Sequence, residues 1–225
     1  IDSLLDKKLM RQQSAAGGEP RFILLETIRE YAWELLAAQE PQAHDALLAT
    51  RQRHAAFFTA LVEEAATKLV GATQVVWLNR LEAEYDNLRT GLDWLEQSGE
   101  ISQALRLATQ LRYFWRVRGH YRVGTERLLR LLAYPAAATA DAVRAQALNA
   151  TGYLQWVQGD IHAAHTHLAE ALTIGRASQE PSVTAFAQRY LGSIAAVQAD
   201  QATAHACFQE SLDLYRSLDN PNEIA

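Results

Sequence analysis

The chain has 225 residues, of which 49% are hydrophobic and 21% are charged, and its formal net charge is −5. This composition is typical of a folded protein, and the acidic balance gives no general attraction to nucleic acid or to an anionic membrane surface. A single cysteine, Cys207, excludes an internal disulfide and any cysteine-based zinc site, which suits a cytoplasmic protein. Neither a membrane-spanning apolar run nor a signal peptide is visible, so we expect no membrane partner.

Residues 1–38 carry the pattern of a helix, a β-hairpin and a second helix. The stretch IDSLLD reads as a helix end, and the extended runs KLMRQQ and RFILL are separated by SAAGGEP, in which Gly17, Gly18 and Pro20 favour a turn. In RFILLETIREYAWELL, apolar residues then recur at helical spacing, which predicts a strand that ends near Leu25 and a helix that begins at about Glu26. This order is typical of the end of a winged-helix domain.

Residues 39–100 predict a helical connector. Pro41 suits the first turn of a helix that runs to Leu69 and is ended by Gly71. A further helical pattern covers VVWLNRLEAEYDNLRTGLDWLEQ, with a break expected near Tyr85 and Asp86.

Residues 101–225 contain a repeat with a constant step of 40 residues. Its turn column holds Gly119, Gly159 and Ala199, and later columns hold small residues (Gly124, Ala164, Ala204), large apolar ones (Leu128, Leu168, Phe208) and then Leu131, Ala171 and Ser211. Small residues let two helices approach, and a large neighbour fills the space beside them. Each unit is therefore predicted to be a helix hairpin.

This column pattern resembles the tetratricopeptide repeat, with Leu191-Gly192 and the partial match Thr151-Gly152 in the first helix of a unit. We therefore expect a mainly α fold. It consists of a right-handed α-solenoid of about three tetratricopeptide-like hairpins, truncated within residues 101–225, behind a small winged-helix remnant with one β-hairpin.

The chain also resembles one region of the STAND family of signal-transducing regulatory ATPases, the AfsR-like and MalT-like bacterial transcriptional regulators. The similarity runs from about residue 1 to about residue 215, and its most specific parts are LLETIREYA and EAEYDNLRTGLDWL. The resemblance implies that an upstream ATPase (NB-ARC) domain binds ATP or ADP and acts as a switch. It further implies that the repeats are a sensor or docking region.

No catalytic pattern accompanies this architecture. The chain lacks G-x-x-x-x-G-K-[ST], so we expect no enzyme activity and no cofactor in this part of the protein. Cys207 reads as an inert thiol beside a core residue. His162 and His165 share a helix face and could hold a metal ion, although a solvated face is the simpler reading, and we assign no metal site.

A basic segment forms the candidate anion-binding patch. It contains Arg112, Arg116, Arg118, Arg122, Arg127 and Arg130, with Glu126 as its only acid. Arginines among aromatic residues can bind phosphates, which would make the chain a nucleic-acid-binding module together with the wing. The alternatives are an anionic ligand, an acidic domain contact, or arginines that pair with neighbouring acids. Nucleic acid is not our expected partner.

A second candidate surface is the concave face of the solenoid, because helical repeats bind along that face. The resemblance places ten residues there: Arg106, Thr109, Tyr113, Arg116, Gln146, Asn149, Tyr153, Trp156, Arg189 and Ser193. Aromatic residues and arginine commonly anchor interfaces, so a protein partner or an anionic small-molecule effector is expected. The alternative is that Trp156 only packs within the superhelix.

The final helix is expected to be incompletely covered. Repeat units bury their apolar faces on their neighbours, and the terminal DNPNEIA leads toward another helix start, so we expect a longer protein. Exposed side chains are predicted around Leu212 and Tyr215, where the helix should fray or contact another molecule.

Overall fold

The computed structural model describes residues 2–14, 20–38, 41–139 and 141–218 of the chain. These residues form twelve α-helices, one short 3-10 helix and one two-stranded sheet, so the protein is mainly helical, as predicted. The chain divides into two compact units, residues 1–58 and 59–225. Within the described ranges, no helix is both long and apolar enough to cross a membrane.

The first unit contains the predicted helix, hairpin and helix. Its elements are α1 (Asp2–Asp6), β1 (Met10–Ser14), β2 (Pro20–Leu24) and α2 (Glu26–Ala38), followed by the start of α3 (Pro41–Ala66). The two strands are antiparallel and pair Met10 with Leu24. The strand end near Leu25 and the helix start at Glu26 are therefore confirmed. The predicted turn at Gly17 and Gly18 lies outside the described residues.

The second unit begins in the connector, where α4 (Gln74–Ala83) and α5 (Tyr85–Gln97) follow α3. The expected break near Tyr85 is confirmed, since the two helices are separated at Glu84. Helix α3 ends three residues before the predicted Leu69. The amides of Lys68 and Leu69 still donate to the Ala65 carbonyl as a turn, and Gly71 follows in the left-handed region with φ of 90°.

The repeat segment is a series of helices that meet at the predicted turns. It contains α6 (Ile101–Gln110), α7 (Arg112–Arg118), α8 (Tyr121–Leu132), a 3-10 helix (Pro135–Ala137), α9 (Ala142–Val157), α10 (Ile161–Ala177), α11 (Pro181–Val197) and α12 (Gln201–Ser217). Helix α9 packs on α10, α10 on α11, and α11 on α12. The first predicted helix of the repeat is divided at Leu111 into α6 and α7.

The turn column has one backbone geometry in all three units. Gly119, Gly159 and Ala199 have φ values of 78°, 83° and 62°, in the left-handed region. In each unit the following amide donates back to a carbonyl five residues earlier, for example from His120 to Trp115 at 2.8 Å. This pattern is the helix-ending Schellman motif, which needs a left-handed residue. The 40-residue step at the turn column therefore reflects a backbone conformation that recurs in each unit.

The column of small residues permits close helix contact. A Cβ atom added at Gly124 would lie 2.3 Å from Cε3 of Trp115, so the indole ring occupies the space that a side chain would need. In the next unit, Ala164 and Leu168 are buried with Ile194 in one apolar cluster. The predicted core role of these columns is confirmed for the first two units.

The large apolar column changes at the last helix pair. Phe208, the counterpart of Leu128 and Leu168, is 40% exposed, whereas those two leucines are fully buried. The predicted exposure at Tyr215 is wrong, because this side chain is only 3% exposed, and Leu212 is half-buried. The incompletely covered side chain is thus Phe208, on the part of α12 that precedes the predicted site. The predicted helix start in DNPNEIA lies outside the described residues.

Candidate binding surface

The six arginines of the basic segment fall into two groups, those that form ion pairs with acids and those that do not. Four arginines are neutralised: Arg118 by Glu82 at 3.6 Å, Arg122 by Glu126 at 3.1 Å, Arg127 by Asp93 at 2.5 Å, and Arg130 by Glu96 at 2.7 Å. Three of the four acids, Glu82, Asp93 and Glu96, lie on α4 and α5, more than thirty positions before the arginine that each one pairs with. For these four arginines, the alternative that they pair with acidic side chains is confirmed.

Glu96 is the centre of the most buried of these networks. Its carboxylate accepts hydrogen bonds from Arg127 at 2.9 Å, from Arg130 at 2.7 and 2.8 Å, and from the Tyr134 hydroxyl at 3.2 Å. The Arg130 hydrogen bond, with the charges of both arginines, lowers the pKa of Glu96 below its usual value even though burial opposes this. These contacts join α5 to α8 and have a structural role.

Arg112 and Arg116 differ from the other four arginines. In the part of the chain that the structure describes, neither one forms an ion pair with an acid. The guanidinium carbon of Arg112 lies 5.3 Å from the ring centre of Phe186, and that of Arg116 lies 5.3 Å from the ring centre of Tyr113. Both distances are within the range of a cation–π contact.

These two arginines adjoin a cluster of aromatic rings from α9 and α11. Tyr190 is central to it, with ring centres 4.9 Å from Tyr153, 5.4 Å from Trp156 and 4.8 Å from Phe186. We use the name aromatic–arginine surface for Arg112, Tyr113, Arg116, Tyr153, Trp156, Phe186 and Tyr190. It combines parts of both candidate surfaces of the sequence analysis.

The Tyr153 hydroxyl of this surface has a perturbed pKa. The residue is 6% exposed, and burial raises the pKa of its phenol far above the usual value of 10, while the charges of Arg116 and Arg112 act in the opposite direction. The phenol therefore stays protonated and can donate a hydrogen bond.

Two other predicted residues are buried behind the surface. Thr109 and Asn149, which are equivalent in the 40-residue register, are 7% and 4% exposed. The Asn149 amide donates to the Val183 carbonyl at 2.9 Å, whereas Asn149 Oδ1 and Thr109 Oγ1 have no hydrogen-bond partner among the described residues. A partner such as a buried water would satisfy these atoms.

The remaining predicted residues lie at the edges. Arg106 and Gln146 are exposed, the Arg189 guanidinium lies 5.8 Å from the ring centre of Tyr190, and the Ser193 hydroxyl donates to the Arg189 carbonyl at 3.0 Å. Sequence reasoning missed Phe186, although it occupies the column of Arg106 and Gln146. It also missed Tyr190, for which no column gave a signal.

The surface is joined to the connector through Tyr113. The Gln74 amide, in the first turn of α4, donates to the Tyr113 hydroxyl at 2.6 Å and to the Leu69 carbonyl at 3.0 Å. A ligand that moved Tyr113 would therefore disturb the connector at the turn between α3 and α4.

The histidines and the cysteine considered in the sequence analysis do not form a site among the described residues. His162 and His165 are exposed, and His167 Nδ1 lies 2.8 Å from Gln155 Oε1. Among the described residues, no three histidine, cysteine or acidic side chains are grouped closely enough to hold a metal ion. Burial raises the pKa of the half-buried Cys207 thiol, which disfavours the reactive thiolate.

Curated proteins similar to this chain are each named "Putative HTH-type transcriptional regulator", from Mycobacterium tuberculosis and Mycobacterium bovis. They are 35% identical to it over 149 residues, a match that covers 64% of this chain and 16% of each relative. The chain thus spans less than a fifth of their length. No protein-family model matches the chain. Among solved structures, the crystal structure of BtubC from P. vanneervenii is 15% identical, with 74% of each chain covered and a TM-score of 0.44.

Proposed function

We propose that this chain is a non-catalytic sensor and protein-interaction region of a STAND-type regulatory ATPase that acts in transcriptional regulation. In this proposal, residues 1–38 end a winged-helix domain, residues 39–100 are a connector, and residues 101–225 form a right-handed solenoid of tetratricopeptide-like hairpins. The aromatic–arginine surface binds the ligand or partner. ATP or ADP binds to an upstream domain of the same cytoplasmic protein.

The proposal is carried by one observation, the similarity to transcriptional regulators over 149 residues that are only 16% of their length. A piece of this kind suits a region that serves the activity of a larger protein. Helix pairs recur at a step of 40 residues, and in each pair a residue in the left-handed region ends the first helix. This regularity supports a repeat array. The contact between Tyr113 and Gln74 supports a route from the array to the connector.

The decisive experiment determines the coding sequence on the N-terminal side of Ile1 and then measures nucleotide binding by the protein it encodes. We expect a G-x-x-x-x-G-K-[ST] loop upstream, bound ADP or ATP, and loss of that nucleotide when the loop lysine is replaced. An upstream sequence with no phosphate-binding loop would remove the ATPase part of the proposal. Bound nucleotide that persists after the lysine replacement would do the same.

DNA binding by this chain itself is the second candidate, and the names of the relatives favour it because a helix-turn-helix is a DNA-binding element. The ion pairs of Arg118, Arg127 and Arg130 leave few cations in the basic segment to contact phosphates. We therefore expect no DNA retardation by the 225-residue chain at 50 mM salt, and strong salt-dependent retardation would favour the second candidate.

A further inference from the structure

We propose that the aromatic–arginine surface is a binding site for a small oxyanion with two or more negative charges, held by the guanidinium N–H groups of Arg112 and Arg116. The inference rests on the sensor function proposed above and names the chemical class of its ligand.

The first step is the charge that remains after the ion pairs are formed. Of the six arginines between positions 112 and 130, four have carboxylate partners, and Arg112 and Arg116 have none among the described residues. These two lie one helical turn apart on α7, so their side chains leave the same face of the helix. A protein with a net charge of −5 thus presents a local cationic site.

The second step is the supply of hydrogen-bond donors. A cation–π contact occupies none of the five N–H donors of a guanidinium group, so these donors remain available for hydrogen bonds. Arg112 uses one donor, since Nη1 donates to the Thr109 carbonyl at 3.1 Å. No side-chain hydrogen bond from Arg116 is found among the described residues. Because each side chain already contacts a ring, an anion that binds both arginines costs less conformational entropy.

The third step is a neutral phenol in the same aromatic cluster. The Tyr153 ring centre lies 6.0 Å from that of Phe186, the ring that Arg112 contacts, and the Tyr153 hydroxyl stays protonated because the residue is buried. Arginine forks and a hydroxyl are donors that suit phosphate and carboxylate oxygens. The ring of Trp156, half-buried beside Tyr190, adds an apolar contact for the remainder of the ligand.

A compact site of two cations also limits the ligand. Nucleic-acid binding gains its affinity from many phosphate contacts along a strand, whereas these donors lie within one turn of α7. Phosphate and clustered carboxylates share the required chemistry, and they would reach the site as a free metabolite or as acidic side chains of a partner. Since both arginines lie within one turn of a single short helix, we assign the site to the free small molecule.

The test is isothermal titration calorimetry of the 225-residue chain with tripolyphosphate and with citrate, at constant ionic strength and with a hexaglutamate peptide as the third arm. We expect one saturable site for a small oxyanion at millimolar concentration or below. Arg112→Gln and Arg116→Gln should each weaken that binding about tenfold, as expected for charge-assisted hydrogen bonds. Arg112→Lys keeps the charge without the fork and should weaken it less.

The matched control is Arg122→Gln, because Arg122 is a highly exposed arginine that pairs only within its own helix. Its affinity should remain within twofold of the unchanged chain. The proposal is overturned if neither tripolyphosphate nor citrate gives saturable heat up to roughly 10 mM, ten times the weak end of ordinary metabolite affinities. It is also overturned if Arg122→Gln weakens binding as much as Arg112→Gln, or if only hexaglutamate binds. None of these results bears on the upstream nucleotide-binding loop, so failure here is distinguishable from failure of the proposed function.

Discussion

The guanidinium carbon of Arg112, on α7, lies 5.3 Å from the ring centre of Phe186, on α11, so the two helices contact each other across 74 positions of sequence. Helix α9 lies between them in the chain order, and its Tyr153 ring is 6.0 Å from Phe186. Side chains of α7, α9 and α11, which belong to three successive helix pairs, are thus linked through Phe186. The contact also sets the position of a cation beside an aromatic cluster.

This contact should contribute measurably to stability. In a double-mutant cycle of Arg112→Ala and Phe186→Ala, we expect a coupling energy of about 0.5–1 kcal/mol, the size of a partly exposed cation–π pair. Urea unfolding followed by circular dichroism gives the four free energies. The control cycle combines Arg122→Ala with Phe186→Ala, and its two effects should be additive. An additive Arg112 cycle would mean that the two groups do not interact.

Loss of the Glu96 carboxylate should be costly. Glu96→Gln leaves Arg127, whose side chain is 13% exposed, with only Asp93 as a partner, and we expect a loss of about 2–3 kcal/mol in the free energy of unfolding. The matched control is Glu126→Gln, which breaks the exposed pair with Arg122 and should cost less than about 0.5 kcal/mol. Equal losses in the two variants would contradict a structural role for the Glu96 network.

The same network predicts a dependence of stability on pH. Since the folded pKa of Glu96 lies below its usual value of 4.5, its contribution is complete above that value and is lost as pH falls through the folded pKa. The difference in unfolding free energy between the natural chain and Glu96→Gln should therefore be constant from pH 7 to about 5 and shrink below 4.5. A difference that stays constant down to pH 3 would show that the carboxylate charge does not matter.

The left-handed turn column predicts opposite effects of exchanging glycine and alanine. Ala199 has φ of 62°, which is unfavourable for a side chain, so Ala199→Gly should stabilise the protein by about 0.5–1 kcal/mol. Gly159→Ala places the same strain in the preceding unit and should destabilise it by about 1 kcal/mol. Thermal unfolding of both variants measures the signs. Two changes of the same sign would contradict the shared turn geometry.

Close helix contact predicts a graded series at two helical glycines. Gly124→Ala drives a methyl group into the buried Trp115 ring, and overpacking of this kind costs about 1–3 kcal/mol. At Gly192, an added Cβ would lie 3.0 Å from the Phe208 ring, which is partly exposed and can move aside, and 3.1 Å from Cβ of Cys207, which is milder crowding than at Gly124. Gly192→Ala should therefore be close to neutral, because helix propensity offsets the contact by about 1 kcal/mol. The midpoints of denaturant unfolding measure the stability of the two variants. Equal losses of stability would contradict the prediction.

Local sequence signals determined the elements of this fold. The strand and helix around Leu25 and Glu26, the break near Tyr85 and the turns at Gly119, Gly159 and Ala199 could all be predicted. Each depends on interactions within a few positions: hydrophobic period, glycine conformation, and backbone hydrogen bonds that span five residues.

Only the tertiary structure decided what the arginines do. Arg127 and Arg130 lie in the same run as Arg112 and Arg116, with similar neighbours, yet the first two meet Glu96 and the others meet aromatic rings. The partners of Arg127, Arg130 and Arg112 lie 31, 34 and 74 positions away, and no short-range pattern records which helix will face these arginines. Charge pairing and ring stacking depend on the relative placement of packed helices, so sequence spacing specified the scaffold and packing specified the site.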